Sequence, residues 1–381
     1  MTKPKVLFVA SVAVHLHAFH RPYLKWFYDK GYEVHVACNG AFEDPHVAKV
    51  WSINFERSPF AISHASNVRN LQKIIEEQHY CLISCHTPMA SVMTRLACIR
   101  ARKDGVKLLY TAHGFHFFKG SGIWSWMTYY PVERLLSYFT DAIICINRED
   151  FDRIRHKGAG SIGYYLIPGV GVDSARFYPV PKSRRMELRV EIGLDANDFV
   201  LIYAAEFIER KNHRLVVNAV RELAPKIEKL KVVFAGRGEL LDELKEYVNF
   251  CGVQGNFLFL GFVGDIEKCY QASDLAVSSS RQEGLGLNLV EAMMCGIPVV
   301  ATIDRGHSTI VEDGLNGYLV PQNNCKDFSE AIYKMYVSPV RRARMGEAAI
   351  VKAAGFEIKK SLAAMSAIYD EHLKCNVGPA E

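Results

Sequence analysis

Ten cysteines occur in the 381 residues, yet none forms a Cys-x-x-Cys pair. Cys81 and Cys85 fall inside an apolar run that reads as a buried strand and not as a metal clip. All ten are therefore expected to be reduced, mostly buried thiols. No apolar run approaches the roughly 18 residues that a spanning helix needs. Met1 to Lys5 leads straight into Val-Leu-Phe-Val-Ala, too short for a secretory leader, so a cytoplasmic protein is expected. No Gly-x-Gly-x-x-Gly follows the first predicted strand, where Val9-Ala-Ser-Val-Ala-Val stands instead, and this argues against a dinucleotide-dependent dehydrogenase. No Asp-x-Asp sits at a strand end. Asp150-Phe-Asp152 has the spacing but lies on a predicted helix, where acids at i,i+2 point apart. Neither a metal nor any other cofactor is expected. Internal repeats and low-complexity tracts are absent, and no nucleic-acid partner is expected.

What is present is a chain 49% hydrophobic and long enough for two cores. Apolar runs alternate with longer amphipathic ones. Strands are predicted at Val6–Ala10, Val34–Cys38, Leu82–Cys85, Leu108–Ala112, Ala142–Ile146 and Tyr164–Ile167. A second series comprises Phe199–Ala204, Lys231–Ala235, Asn256–Leu260, Leu275–Ser278 and Ile297–Ala301. Helical stretches such as Asn67–Gln78 and Ala90–Arg102 lie between. Continuous apolar strands separated by helices imply α/β domains with parallel sheets covered on both faces. Pro168 to Ser183 reads as a linker. The expected division is residues 1–175, residues 176–355 and a last helix within 356–381. Charge is uneven: residues 1–175 carry 20 Lys+Arg against 14 Asp+Glu and 11 of the 14 histidines.

The most informative segment runs from Glu283 to Thr302. Glu283 and Glu291 stand with seven residues between them, bracketing a glycine-containing turn and the start of a helix. Gly284 and Gly286 allow backbone N–H groups to approach an anion, which a helix N-terminus also favours. Ionised carboxylates accept hydrogen bonds only and so suit hydroxyl donors. A phosphate cradle beside two hydroxyl acceptors fits a nucleotide sugar. Lys211, in Arg210-Lys-Asn-His213 after the strand Phe199–Ala204, is read as starting a helix, where it can meet a diphosphate. Gly236, in Ala235-Gly-Arg-Gly238, fits close ligand approach or an ordinary turn equally well.

The Glu283–Glu291 stretch resembles the E-x7-E signature of retaining GT-B glycosyltransferases of the GT4 family. His86-Thr-Pro-Met89, Tyr110-Thr-Ala-His113-Gly-Phe-His116-Phe-Phe-Lys119, Tyr130-Pro-Val-Glu-Arg134 and Pro168-Gly-Val-Gly-Val-Asp173 resemble exopolysaccharide and capsule glycosyltransferases of the EpsD type. The resemblance implies the GT-B architecture, two Rossmann-like domains facing across a cleft, with the last helix crossing back to the first domain. It implies that Glu291 accepts from the ribose hydroxyls and that Glu283 contacts the donor sugar. Gly284, Gly286, Leu287 and Asn288 would face the phosphates, and Val263 would offer backbone groups to the base. Lys211 and Arg210 would neutralise the diphosphate, and His113 would touch the transferred sugar. Two departures stand out. Ala205-Glu206 replaces the usual Gly-Arg, and Ser11-Val-Ala-Val-His15 replaces a Gly-Gly pair. The first loop is therefore assigned to the acceptor, through His15, His20 and Arg21, with His116 and Lys119 nearby.

The implied activity is metal-independent, retaining transfer of a hexose, N-acetylglucosamine in first place, from a UDP-sugar to a polyprenyl-diphosphate-linked saccharide. The implied place is the inner face of the cell membrane, with other polysaccharide-biosynthesis enzymes as possible partners. The aromatics of residues 115–139 and a basic set, Arg95, Arg100, Arg102 and Lys103, are the expected membrane contacts. A UDP-sugar 2-epimerase of the same fold and a catalytically silent sugar-nucleotide-binding subunit are the alternatives.

Overall fold

The computed structural model describes residues 3–56, 63–157 and 162–374. The chain divides into two compact units, Met1–Gly171 with Lys359–Glu381, and Val172–Ile358. The divisions fall at 171/172 and 358/359, where 175/176 and 355/356 were expected. They are fixed by backbone pairing: Val172 donates to the Phe356 carbonyl at 2.9 Å, and Ile358 donates to that of Val172 at 2.9 Å. Residues 375–381 of the expected C-terminal segment lie outside the described residues.

The first unit holds β1 (Lys5–Val12), β2 (Glu33–Asn39), β3 (Lys49–Ser52), β4 (Tyr80–His86), β5 (Lys107–Ala112), β6 (Ala142–Cys145) and β7 (Gly163–Leu166). They form one sheet in the order β3-β2-β1-β4-β5-β6-β7, and every pair is parallel. Residues Val6 to Ala10 are wholly buried, as a strand covered on both faces must be. The helix Ile358–Lys374 belongs to this unit from Lys359 onward. Its Tyr369 ring sits 4.8 Å from that of Phe27 and 5.7 Å from that of Trp26, and Lys30 pairs with Asp370 at 2.7 Å.

The second unit holds β8 (Phe199–Ala204), β9 (Leu230–Ala235), β10 (Phe257–Gly261), β11 (Leu275–Ser278), β12 (Val299–Thr302) and β13 (Gly317–Val320). The order is β10-β9-β8-β11-β12-β13, again all parallel. β12 starts at Val299 and not at Ile297. Pro298 has no N–H to donate, and the Ile297 N–H is used by the Ala292 carbonyl that ends the preceding helix. In each sheet the strand order reverses direction once, between β1 and β4 and between β8 and β11. Ligands of doubly wound sheets bind outside the strand carboxyl ends at such switch points.

Two surface expectations need correction. Arg95 is not part of a basic face. It is fully buried, donates to Glu133 at 2.7 Å and lies 4.3 Å from the Tyr110 ring centroid. A buried guanidinium requires a carboxylate partner, and that partner stands on the helix Ile123–Ser137. Arg102 is likewise committed, to Asp141 at 2.9 Å. The aromatic segment also splits. Phe115 and Phe117 are core, with Trp126 and Tyr130 packed on them. Ile123, Trp124, Met127, Leu135 and Tyr138 remain largely exposed.

Candidate active site

In the second unit the switch point gathers the loops after β8 and β11. Lys211 does not open a helix. It closes a short 3-10 turn, Glu209–Lys211, and the helix starts two residues later at His213. The intervening Asn212 is held at φ 50, a left-handed conformation that is uncommon outside glycine. This kink turns the Lys211 ammonium onto the Glu283 carboxylate, with which it forms an ion pair. The Lys211 carbonyl is fixed from below by the Tyr203 hydroxyl at 2.8 Å and the Ser279 hydroxyl at 3.0 Å.

Glu283 is buried, at 7% exposure, so its charge must be compensated. Oε1 also accepts from the Ser280 hydroxyl at 2.6 Å, while among the described residues Oε2 has only Arg210 Nη1 at 3.4 Å. Oε2 is therefore the oxygen with room to accept from a ligand hydroxyl. Burial alone would push this carboxyl up. The Lys211 ammonium, followed by His307 and Arg210, outweighs it and holds the carboxyl at about 2.

Gly286 caps the next helix, Leu287–Met294, at φ 92. A Cβ there would be strained and would press on His307 Cδ2 at 3.1 Å. The helix leaves the N–H groups of its first turn, at Leu287 and Asn288, without intrahelical acceptors. Glu291 lies one turn further along, partly buried, with Oε2 accepting from the Tyr270 hydroxyl at 2.9 Å. Burial pushes its carboxyl up to about 7, against the Tyr270 hydrogen bond and Arg176, which favour the ionised form.

Asp304, Arg305 and His307 were not singled out from sequence. Asp304 accepts from the backbone N–H of both Glu283 and His307, and Arg305 Nε donates to the Glu283 carbonyl at 3.3 Å. Together they brace the turn that carries Glu283. The signal was there: a polar Asp-Arg-Gly-His turn directly after an apolar strand. Gly236, by contrast, has a sufficient packing reason. At φ 154 a Cβ would collide with the Ala205 carbonyl of the adjoining loop. Val263 is partly exposed beyond the end of β10, and Glu206 is exposed.

In the first unit the switch point gathers histidines. β1 runs to Val12 and passes directly into the helix Ala13–Phe19, so His15 stands on a helix and not in a loop. The His15 and His113 rings meet edge to face at 4.6 Å, and the His20 and His86 rings lie 3.9 Å apart. His113 Nε2 is 3.5 Å from His86 Nδ1. Thr87, next to His86, sits at φ 65 and accepts from Ser11 through its Oγ1 at 3.0 Å. Burial holds His15 down at about 4 and keeps His20, His86 and His113 well below the usual imidazole range, helped by one another.

His20 therefore differs from the expectation of a cation for an acceptor diphosphate: it is buried at 2% exposure and neutral. Arg21 turns away and pairs with Asp44 at 2.9 Å. His116 is exposed and packs on Tyr129 at 4.7 Å, and exposed Lys119 donates its backbone N–H to Glu149 at 2.9 Å. The structure thus brings His15, His20 and His113 together, and does not bring Arg21, His116 or Lys119 to them.

Two all-parallel α/β units, one carrying a Lys–Glu pair beside a glycine-capped helix, define the architecture of a GT-B glycosyltransferase. Residues 5–147 match the family described as glycosyl transferase 4-like, and residues 184–352 that described as glycosyl transferases group 1. EpsD of Bacillus subtilis (strain 168), named as a glycosyltransferase, is 40% identical over 375 residues, 98% of this chain and 98% of its own. The chain belongs to this EpsD-type branch of the GT4 glycosyltransferases. The UDP-Gal:alpha-D-GlcNAc-diphosphoundecaprenol alpha-1,3-galactosyltransferase of Escherichia coli is 26% identical over 279 residues, 72% of this chain and 71% of its own. The crystal structure of Anabaena HepE in complex with UDP and glucose superposes with a TM-score of 0.80 at 22% identity, over 97% of this chain and all of that one.

Proposed function

We propose that this glycosyltransferase moves a hexose, N-acetylglucosamine in first place, from a UDP-sugar to a polyprenyl-diphosphate-linked saccharide with retention of configuration. The observation that carries the reading is the pair of part-buried Lys211 with buried Glu283 at the switch point of the second sheet, followed by the Leu287–Met294 helix that carries Glu291. Lys211 and Arg210 stabilise charge growing on the leaving diphosphate, with the first N–H groups of the Leu287–Met294 helix. Glu291 accepts from the ribose hydroxyls, Glu283 Oε2 from a donor-sugar hydroxyl, and Val263 offers its backbone to the base. His113 touches the transferred sugar as a neutral ring. In this reading no carboxylate acts as a nucleophile: the acceptor hydroxyl attacks on the leaving-group face and the departing phosphate takes its proton. This chemistry assigns no step to a metal. The lipid-linked acceptor is supported by the E. coli relative, whose name specifies one.

The test is nucleotide release from a panel of UDP- and GDP-sugars, with and without lipid extract. UDP release requiring both one UDP-sugar and the lipid supports transfer. Interconversion of UDP-sugars without acceptor would replace this reading with an epimerase.

The reading places the protein at the inner face of the cell membrane, in exopolysaccharide assembly. Among the described residues no helix is long and apolar enough to cross a membrane. The helix Ile123–Ser137 nevertheless exposes Ile123 at 70%, Trp124 at 72% and Leu135 at 60%. Such a face suits shallow insertion between headgroups. Ile123→Glu with Trp124→Glu is expected to cut partition onto anionic vesicles more than tenfold, since losing one buried Ile alone costs about 1.5–3 kcal/mol. UDP binding should stay unchanged. Equal vesicle binding by wild type and variant would remove this face from the proposal.

A further inference from the structure

Three imidazoles at the first switch point have a feature the transfer chemistry does not use. The ligand-capable nitrogens of His15, His20 and His113 all lie within 4.8 Å of one another. His15 Nε2 and both ring nitrogens of His20 are buried and have no hydrogen-bond partner among the described residues. Buried polar atoms are rarely left this way, because each orphan forfeits its hydration. The unpartnered nitrogens of His15 and His20, beside the His113 ring, therefore point to a ligand that takes one lone pair from each of several rings. A sugar hydroxyl or phosphate would satisfy one or two of them. A metal ion satisfies one nitrogen from each ring.

We propose that His15, His20 and His113 form a tri-histidine site for a divalent transition metal of the zinc class. Tetrahedral ligation at ~2.0–2.1 Å sets ligand atoms about 3.3 Å apart, so a modest closure of the three rings completes the site. Imidazole selects zinc, nickel, cobalt or copper over magnesium and calcium, which prefer oxygen. His86 backs the cluster: its Nε2 lies 3.1 Å from the Ser84 hydroxyl, which orients the ring against His20. The helix Ala13–Phe19 supplies His15 directly after β1, and His20 follows it immediately, so one short segment and the end of β5 build the whole ligand set.

The metal would not serve the donor diphosphate, which the second unit handles. It would compete for His113, since a ring nitrogen bound to metal is withdrawn from a sugar. The site is thus a brake on transfer, and this second half rests on the reading of His113 given above.

The experiment uses the full-length protein dialysed against chelator. Titration with zinc chloride by calorimetry, and with cobalt(II) followed by its visible absorption, should show one equivalent bound, with the strong bands of tetrahedral cobalt. His15→Ala and His20→Ala should each weaken binding at least tenfold, while His156→Ala, on an exposed surface, should not. His15, being less buried than His20, keeps the test decisive if His20→Ala fails to fold. No stoichiometric binding, or binding that survives His15→Ala, overturns the site. One equivalent of zinc should slow UDP release at least tenfold, and chelator should restore it. Unchanged turnover at full occupancy overturns the brake. Absence of turnover in every state would count against the transferase reading, while the cobalt spectrum would still decide the site.

Discussion

Lys211→Ala is expected to lower kcat by about 10²–10³-fold, the loss typical when one group facing transition-state charge is removed. The Lys211 ammonium is the better-shielded of the two cations on Glu283, its side chain 12% exposed, and Arg210, 47% exposed, is too solvated to replace it. The same substitution strips Glu283 of its main partner. Breaking a buried pair from one side costs about 3–5 kcal/mol, and Arg210 and His307 should hold the loss near the lower figure. The pH dependence gives a second check. The Glu283 carboxyl sits at about 2 against an ordinary 4.5, so the pair's contribution is present above pH 4.5 and is lost as pH falls towards 2. Urea unfolding should show the full gap between wild type and Lys211→Ala at pH 7 and a narrower one at pH 3.5. A variant with undiminished kcat would remove Lys211 from the chemistry, whatever its stability.

UDP should bind about tenfold more weakly at pH 6 than at pH 8, because the Glu291 carboxyl, raised to about 7, loses its charge in this range. Only the ionised form accepts from both ribose hydroxyls without offering a competing proton. Glu291→Gln should cost about 1.5–3 kcal/mol of affinity at pH 8, roughly 10–100-fold, and should flatten the pH dependence. The terminal phosphate of UDP titrates near ~6 itself, so the slope missing from Glu291→Gln is the quantity that counts. Stability moves the other way. The folded value lies above the unfolded 4.5, so the advantage of the neutral carboxyl is full below 4.5 and lost as pH rises through 7. Glu291→Gln should therefore unfold at a higher temperature than wild type at pH 8. Equal slopes of UDP affinity in both proteins would take Glu291 out of the ribose site.

Strands buried on both faces were legible because nothing but continuous apolar residues can occupy them, as at β1 and β8. The two that sequence missed, β3 and β13, are edge strands. Lys49–Ser52 shows mainly exposed residues, so no apolar run marks it. Glu283 and Glu291 were legible because one local turn and helix carry both. Asp304 was not, since its partner Glu283 lies 21 residues away and only the sheet brings the two loops together. Arg95 was misplaced for the same reason: its ordinary surface role is overridden by Glu133, 38 residues on. His15, His20 and His113 were each singled out, but their convergence depends on β1, β4 and β5 being neighbours.

The position of the last helix has a consequence for how this protein is made. The second unit is one unbroken stretch, Val172–Ile358, inserted into a first unit that resumes at Lys359. A ribosome therefore releases the entire β1–β7 sheet before Tyr369 exists to cover Phe8, Trp26 and Phe27. The second unit has its whole sequence available earlier and can mature first. The nascent first unit must wait with an aromatic face uncovered, the kind of surface that recruits chaperones during synthesis.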